Sequence, residues 1–226
     1  KIPPGRQVTD FVSTTDLAPT FLAAAGAPIP SSMTGKSWLN ILMSKKSGRV
    51  EASRNRVFTG KERHVPCQEG DDSGGTPMRA IRTDQFLLIH NYRPDRWPSG
   101  TPNYQLANLP GCWLGDCDNG PTKTYMVENQ NKDAEHQLKY KLAFAKRPEW
   151  ELYDLNQDPA QLVNVAGEEK YRDIKSKLIE SLKAELILTN DPRETDQNAE
   201  QIFDQSKYFG SGPRHPSFSN KKKSTR

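Results

Sequence analysis

The architecture of this chain depends on one stretch, Pro77-Met-Arg-Ala-Ile-Arg-Thr-Asp-Gln-Phe-Leu-Leu-Ile-His-Asn-Tyr92. From Gln85 to Tyr92 the side chains fit an extended backbone on which successive residues face opposite sides. Residues 78–82 are the predicted partner strand, with the reversal at Thr83-Asp84, because Asp tolerates tight turns and bonds its own backbone. An isolated hairpin is only marginally stable, so this stretch predicts further strands or a helix against its apolar face.

Two later segments are the expected packing partners of the hairpin. Trp150-Glu-Leu-Tyr-Asp-Leu155 alternates again and ends at the turn residues Asn156-Gln-Asp-Pro159. After Glu168, apolar residues recur at helical spacing until Asn190-Asp-Pro192 ends the pattern; they are Tyr171, Ile174, Leu178, Leu182 and Leu186. We expect one long C-terminal helix packed on a small antiparallel sheet, which is an α+β fold class.

The first part of the chain predicts shorter elements. A short strand is predicted at Val8 to Val12, and a helix from about Thr15 to Gly26, where the glycine provides the stop. Residues 37–43 predict two helical turns, and Arg56 to Thr59 another short strand. Residues 45–55 are polar without a period, which predicts a linker and a domain boundary. Residues 93–121, rich in Pro, Gly and Asn, predict a long irregular segment.

Composition excludes several classes of protein. The chain has 226 residues, of which 34% are hydrophobic, and a net charge of only +4, which is not the footprint of a nucleic-acid-binding protein. No apolar run approaches the roughly 20 residues needed to span a bilayer. Three cysteines allow at most one internal disulfide, and Cys112 with Cys117 could close a small loop. The chain starts at Lys1 without Met, so we expect a piece of a longer protein.

Several strings carry a resemblance to a known family: residues 12–22 (VSTTDLAPTFL), 33–37 (MTGKS), 77–82 (PMRAIR), 86–91 (FLLIHN), 150–159 (WELYDLNQDP) and 164–166 (NVA). In order and spacing, they resemble the C-terminal part of the sulfatase family. The resemblance is greatest to its heparan N-sulfatase (N-sulfoglucosamine sulfohydrolase) branch and the bacterial relatives of that branch. It covers about residues 1–190.

This resemblance implies a domain organisation. Sulfatases are similar in fold to alkaline phosphatase, with a large α/β domain followed by a smaller domain of antiparallel sheet and packed helix. Residues 1–45 would then be the end of the large domain, residues 46–190 the small C-terminal subdomain, and residues 191–226 an extended tail. The family also implies a periplasmic, secreted or lysosomal location.

The resemblance implies a catalytic apparatus that this chain does not contain. Family members convert the Cys or Ser of a C/S-x-P-x-R motif to formylglycine and use a divalent cation, usually calcium. The sequence contains no such motif. Asp118-Asn119 matches the family's metal-ligand pair only superficially, since it lies late in the chain and Asn119-Gly120 is a common turn dipeptide. We therefore expect no catalytic residue, metal ligand or cofactor here, with calcium and formylglycine in an N-terminal half that this chain lacks.

The first candidate site for a substrate is Lys61-Glu62-Arg63-His64, directly after a predicted strand. Lys61, Arg63 and His64 can donate hydrogen bonds to sulfate or carboxylate oxygens of an anionic sugar. The alternative is a solvated turn, since runs of charged residues usually face water.

The second candidate is Arg93-Pro-Asp-Arg-Trp-Pro98, which follows the hairpin. Arg96 could bind a sugar substituent while Trp97 stacks on the ring, although Trp97 could equally anchor the long irregular segment. His90 shares the strand face of Phe86 and Leu88, which favours a hydrogen-bonded core histidine over a catalytic one.

Together these features predict a C-terminal fragment of a sulfatase that hydrolyses sulfate ester or N-sulfate groups of a glycosaminoglycan-type sugar. Its expected partners are the sulfated sugar and the missing N-terminal domain, with no nucleic acid or membrane. The fragment is predicted to line the substrate pocket and to be inactive alone. Two alternatives stay open at this point: a phosphodiesterase or phosphatase of the same superfamily, and a stand-alone module that binds an anionic polysaccharide.

Overall fold

The computed structural model describes residues 1–204, 210 and 212–221, and for residues 219–221 only the backbone. A four-stranded antiparallel sheet lies at its centre, with strands in chain order: β1 Arg56–Lys61, β2 Met78–Thr83, β3 Phe86–Asn91 and β4 Trp150–Asp154. The predicted hairpin is therefore β2 and β3, in which Ile81 lies opposite Leu88. At the predicted reversal, the Thr83 hydroxyl accepts a hydrogen bond from the Phe86 N–H at 3.0 Å. The α+β class is confirmed.

The longest helix is α5, Arg172–Leu188, preceded by a 3₁₀ turn at Glu169–Tyr171. Its apolar stripe packs on one face of the sheet, as predicted. The buried core of this contact is formed by Ile81, Leu88, Leu152, Val165, Tyr171, Leu182 and Leu186. The Tyr171 hydroxyl also donates to Asp154 Oδ2 at 2.9 Å, which ties the start of the helix to β4.

Before the sheet, the chain forms two short helices, α1 Leu17–Ala24 and α2 Leu39–Met43. Both were predicted, and Ser13 caps the 3₁₀ turn that leads into α1. The strand predicted at Val8 to Val12 is wrong. Only a single bridge joins Val8 to Gly48, because the Asp10 carboxylate instead accepts the backbone N–H groups of Val50 and Glu51 at 2.9 and 2.7 Å.

Residues 92–120, between β3 and the next helix, contain no helix or named strand, as predicted for this irregular segment. Two helices that the sequence pattern did not reveal follow, α3 Pro121–Glu128 and α4 Ala134–Phe144. They enclose a second small core with Trp113, Leu114 and Phe144. Both helices were missed because their apolar residues form no continuous stripe. The Asp133 side chain caps α4 by accepting the His136 N–H, and both helices pack on the second core.

The predicted extended tail is wrong for part of its length. After α5 the chain forms α6 Pro192–Thr195, α7 Ala199–Asp204 and α8 Pro216–Lys221. The Asp191 carboxylate caps α6 by accepting the Arg193 N–H at 2.9 Å, with Pro192 at the favoured first position. Residues 205–209, 211 and 222–226 of the predicted tail lie outside the described residues. No helix in the described part of the chain is both long and apolar enough to cross a membrane.

Candidate functional site

Lys61 and His64, the first predicted site residues, meet a third residue that the sequence did not single out. Lys61 is the last residue of β1, and His64 lies in the loop that follows. Both contact the Asp116 carboxylate: Lys61 Nζ forms a salt bridge with Oδ2, and His64 Nδ1 lies 2.5 Å from Oδ1. We call Lys61, His64 and Asp116 the Asp116 cluster.

The electrostatics of the Asp116 cluster keep its carboxylate ionised. Burial alone would raise the pKa of Asp116, but hydrogen bonds and charge from Lys61 and His64 outweigh it and hold the pKa below its usual value. The Asp116 side chain is only 12% exposed, whereas that of His64 is 78% exposed. Because an ammonium has three N–H donors, Lys61 can hold Asp116 and an outside anion at the same time. The cluster can therefore present positioned donors to an anionic ligand.

A cleft of about 450 Å³ lies beside the Asp116 cluster. Its lining includes Ser99, Asp116, Pro121, Lys123 and Phe144, so both polar and apolar groups border it, and Asp116 is the member of the cluster that lines it. A mixed lining of this kind suits a sugar ring with polar substituents.

Lys123 explains why Asp116 has a defined position. Its buried ammonium donates to the carbonyl oxygens of Trp113, Leu114 and Cys117 and to Asn119 Oδ1, at 2.6 to 3.1 Å. Burial lowers the pKa of Lys123. The ammonium is thus hydrogen-bonded to residues before and after Asp116, which fixes the backbone of this segment.

The same contacts bear on the Asp118-Asn119 pair. Asn119 Oδ1 is bonded to Lys123, and Asn119 Nδ2 donates to the Arg214 carbonyl at 2.8 Å. This is consistent with the predicted turn. Among the residues that the structure describes, no group of three or more His, Cys, Asp or Glu side chains is arranged to hold a metal ion.

Arg63, the third residue of the first candidate substrate site, contacts residues other than Asp116. Its guanidinium donates to the carbonyl oxygens of Ser73 and Asp204 at 3.1 and 3.5 Å. It therefore joins its loop to helix α7 rather than to the Asp116 cluster.

Arg96 lies in a structural network instead of on the surface. Its side chain is only 6% exposed, and its guanidinium contacts Asp72 and Asp204 at 2.8 Å each and the Gly75 carbonyl at 3.0 Å. A side chain at Gly74 would overlap this guanidinium, which explains the glycine there. These contacts argue against the predicted role of Arg96 in binding a sugar.

Trp97 is half-buried, and its backbone forms two hydrogen bonds with the Gln68 side chain, at 2.8 and 2.9 Å. The ammonium of Lys146 lies over its ring, 4.8 Å from the centroid. The geometry favours the anchoring alternative, and its contact with a substrate stays a prediction.

His90 packs between two aromatic rings, as expected of a structural histidine. It stacks on Trp150 with ring centroids 4.0 Å apart and lies equally close to Tyr92. Burial lowers the pKa of His90, which favours the neutral ring.

A second group of interacting residues was not predicted from the sequence. It joins the end of β1 to the chain after α5. Glu62 accepts from Arg79 and Arg193, at 2.6 Å in each case, and Arg79 also contacts Asp191 at 2.6 Å. The sequence did contain one indication of this group. Arg79 lies on the same strand face as Ile81, and an arginine on a buried face needs charged partners.

Comparison with known proteins gives a consistent result. Residues 1–99 match the family described as N-sulphoglucosamine sulphohydrolase, C-terminal. Two curated relatives from Formosa agariphila are each named ulvan-active sulfatase. One is 29% identical over 181 residues, covering 80% of this chain and 30% of the relative, and the other is 25% identical over 173 residues, covering 76% and 24%. The chain thus spans less than a third of the length of these relatives.

Among solved structures, the chain is similar to BT4656, determined in complex with its substrate D-glucosamine-2-N,6-O-disulfate. The match has 21% sequence identity and a TM-score of 0.47, and it covers 80% of this chain and 25% of that chain.

Proposed function

We propose that this chain forms the C-terminal part of a sulfatase, because residues 1–99 match the family described as N-sulphoglucosamine sulphohydrolase, C-terminal, and 80% of the chain aligns with a curated sulfatase at 29% identity. The proposed enzyme removes sulfate ester or N-sulfate groups from a glycosaminoglycan-type sugar. The family match carries this proposal, since it covers the chain from residue 1 through β3 and the Lys61–His64 loop.

The proposed part played by this chain is to position the substrate. The Asp116 cluster supports it, because two donating side chains, one at the end of β1 and one in the loop after it, are held by a single carboxylate from the segment 92–120. A sulfate or sugar carboxylate that reaches Lys61 and His64 would gain charge-assisted hydrogen bonds. Asp116 acts as a positioning residue, since it holds both donors in place before the ligand binds.

The bond-breaking groups of the proposed enzyme would lie outside this chain, because no C/S-x-P-x-R motif occurs in it. The formylglycine and calcium typical of sulfatases, and a periplasmic, secreted or lysosomal location, are proposed for the whole enzyme from its resemblance to that family.

The substrate role is tested by Lys61→Ala and His64→Ala in the complete enzyme that carries this chain, assayed on sulfated oligosaccharides. Loss of a charge-assisted hydrogen bond weakens binding by about 1.5–3 kcal/mol, so we expect KM to rise by about 10-fold or more, with kcat changed far less.

The matched control is Lys139→Ala. Lys139 is an exposed lysine on α4 that pairs with Glu135 at 2.6 Å, so its removal should leave KM unchanged. An unchanged KM in both Lys61→Ala and His64→Ala, with the fold intact, would remove the Asp116 cluster from the substrate site. Equal losses in the Lys139 variant would indicate a general charge effect instead.

A further inference from the structure

Two of the three cysteines lie side by side in the interior, although 45 positions separate them in the sequence. Cys67 is 0% and Cys112 1% exposed, and all three cysteines are reduced thiols in the structure. The two side chains are neighbours, since the space beside Gly115 borders both Cys112 Sγ and Cys67 Cβ. This is not the pair considered from sequence spacing, Cys112 with Cys117. The Cys117 thiol instead points to the Asp118 carbonyl, 3.8 Å away.

The surrounding backbone is built closely around the Cys67 and Cys112 side chains. A side chain at Gly115 would overlap Cys112 Sγ and would come within 2.8 Å of Cys67 Cβ. At Gly100, which has a positive φ of 87°, a side chain would come within 2.7 Å of the same Cβ. The Thr101 N–H donates to the Cys67 carbonyl at 2.6 Å, and the Cys112 N–H donates to the Leu109 carbonyl at 2.8 Å. The two sulfurs are therefore confined to one small space, with glycines where other residues would block their approach.

The two cysteines lie on the two segments that form the Asp116 cluster. Cys67 follows Lys61 and His64 on the loop after β1, and Cys112 precedes Asp116 in the irregular segment. Between residues 67 and 112 lie β2, β3 and most of the irregular segment. A bond between the two sulfurs would therefore close a large loop and fix the distance between the segments that bring Lys61 and Asp116 together.

We propose that Cys67 and Cys112 form a disulfide bond when the protein folds in the presence of a disulfide oxidant, and that this bond fastens the loop bearing Lys61 and His64 to the segment bearing Asp116. The oxidant is a small-molecule or protein disulfide. One of the two cysteines, as its thiolate, attacks one sulfur of that disulfide and displaces the other as a thiolate, which leaves a mixed disulfide on that cysteine. The second cysteine loses its proton and attacks the sulfur of the first, so the second oxidant thiol leaves. The two cysteine protons pass to the two departing thiols.

The burial of both sulfurs decides when the exchange takes place. Cys67 is 0% and Cys112 1% exposed in the folded chain. The oxidant therefore reaches the thiols during folding or local opening, and the folded chain then holds the two sulfurs in one small space.

The bond is tested in the complete protein that carries this chain, folded in a mixture of oxidised and reduced glutathione. Free thiols are then blocked with N-ethylmaleimide in denaturant, and a proteolytic digest is mapped without reduction. Of these three cysteines, we expect only Cys117 to be blocked, and we expect a peptide pair that joins Cys67 to Cys112 and separates on reduction. Blocking of all three, or a cross-linked Cys112–Cys117 peptide, would overturn the proposal.

Variants give a second, independent measurement. Cys117→Ser should keep the cross-link and should lose on the order of 5–10 °C in Tm when dithiothreitol is added, the shift expected for opening a loop of this size. The double variant Cys67→Ser/Cys112→Ser should show the same Tm with and without dithiothreitol. The contrary result is a Cys117→Ser protein with a verified cross-link whose Tm is the same with and without dithiothreitol. It would show that the bond does not stabilise the fold. Neither readout requires sulfatase activity, so this test is independent of the proposed function.

Discussion

Arg54 shows how one side chain organises a segment whose composition alone predicts a linker. Its guanidinium contacts Asp16 at 2.8 Å and Glu51 at 3.0 Å, and it donates to the carbonyl oxygens of Phe11 and Lys36. The Arg54 and Asp16 side chains are both nearly buried. Residues 45–55 are therefore anchored to α1 and to the segment before it, while the domain boundary placed there stays a prediction.

At the residue scale, we predict that Asp16→Asn lowers stability by about 2 kcal/mol at pH 7, because the carboxylate accepts from the Arg54 guanidinium and from the Lys36 and Ser13 N–H groups. Burial would raise the pKa of Asp16, but these hydrogen bonds outweigh it and lower the pKa. The depressed pKa contributes stability that is present above the unfolded value of about 3.9 and is lost as the pH falls through the lower folded value.

The stability difference between the wild-type chain and Asp16→Asn should therefore shrink as the pH is lowered below about 4. Thermal melts across pH 7 to 3 measure it, with Asp71→Asn, at an exposed position, as the control that should change little at any pH. A difference that stays constant, or widens, in acid would contradict the role given to the Asp16 carboxylate.

At the scale of elements, helix α5 and the sheet form the main core. Leu182 is 1% exposed and belongs to the cluster that contains Ile81, Leu88 and Leu152, whereas Leu188 on the same helix is 74% exposed. The helix thus buries one face and leaves the other in water, which is the pattern its apolar spacing predicts.

We predict that Leu182→Ala lowers the free energy of unfolding by about 3 kcal/mol, because it removes buried methyl groups and leaves a cavity. Leu188→Ala should change it by less than about 0.5 kcal/mol. Urea denaturation of both variants measures the contrast. Equal losses in the two variants would show that the stripe of α5 is not packed on the sheet.

At the scale of the whole molecule, the first part of the chain exposes several large apolar side chains. They include Ile2, Val12, Leu17, Phe21 and Ile29. If residues 1–45 are the end of a large domain, as predicted, we expect these side chains to be covered by the rest of that domain; the domain division itself stays a prediction.

We predict that the purified 226-residue chain has no sulfatase activity and tends to aggregate, because its apolar N-terminal surface is exposed and the proposed catalytic groups lie elsewhere. Turnover of an aryl sulfate, with contaminating sulfatase excluded, would contradict the assignment. A soluble monomer that retains heparin at physiological salt would instead favour the stand-alone polysaccharide-binding alternative.

Local sequence pattern by itself determined the β2–β3 hairpin, strand β4, helix α5 and the family resemblance. These features depend on residues that are neighbours in the chain, so alternation, helical spacing and turn chemistry suffice to predict them. The pattern also indicated that Lys61 and His64 lie at the end of a strand. It did not reveal α3 and α4, which pack on a core shared with residues that are distant in the sequence.

Only the tertiary structure decided which polar residues meet. Lys61 and Asp116, like Cys67 and Cys112, are far apart in sequence, and Arg96 changes from a candidate sugar contact to a buried partner of Asp72 and Asp204. A hydrogen bond or ion pair acts over a few ångströms of space, whereas sequence spacing reports on neighbours along one strand or helix. The fold of residues 92–120, which carry Arg96, Cys112 and Asp116, therefore could not be predicted from local pattern.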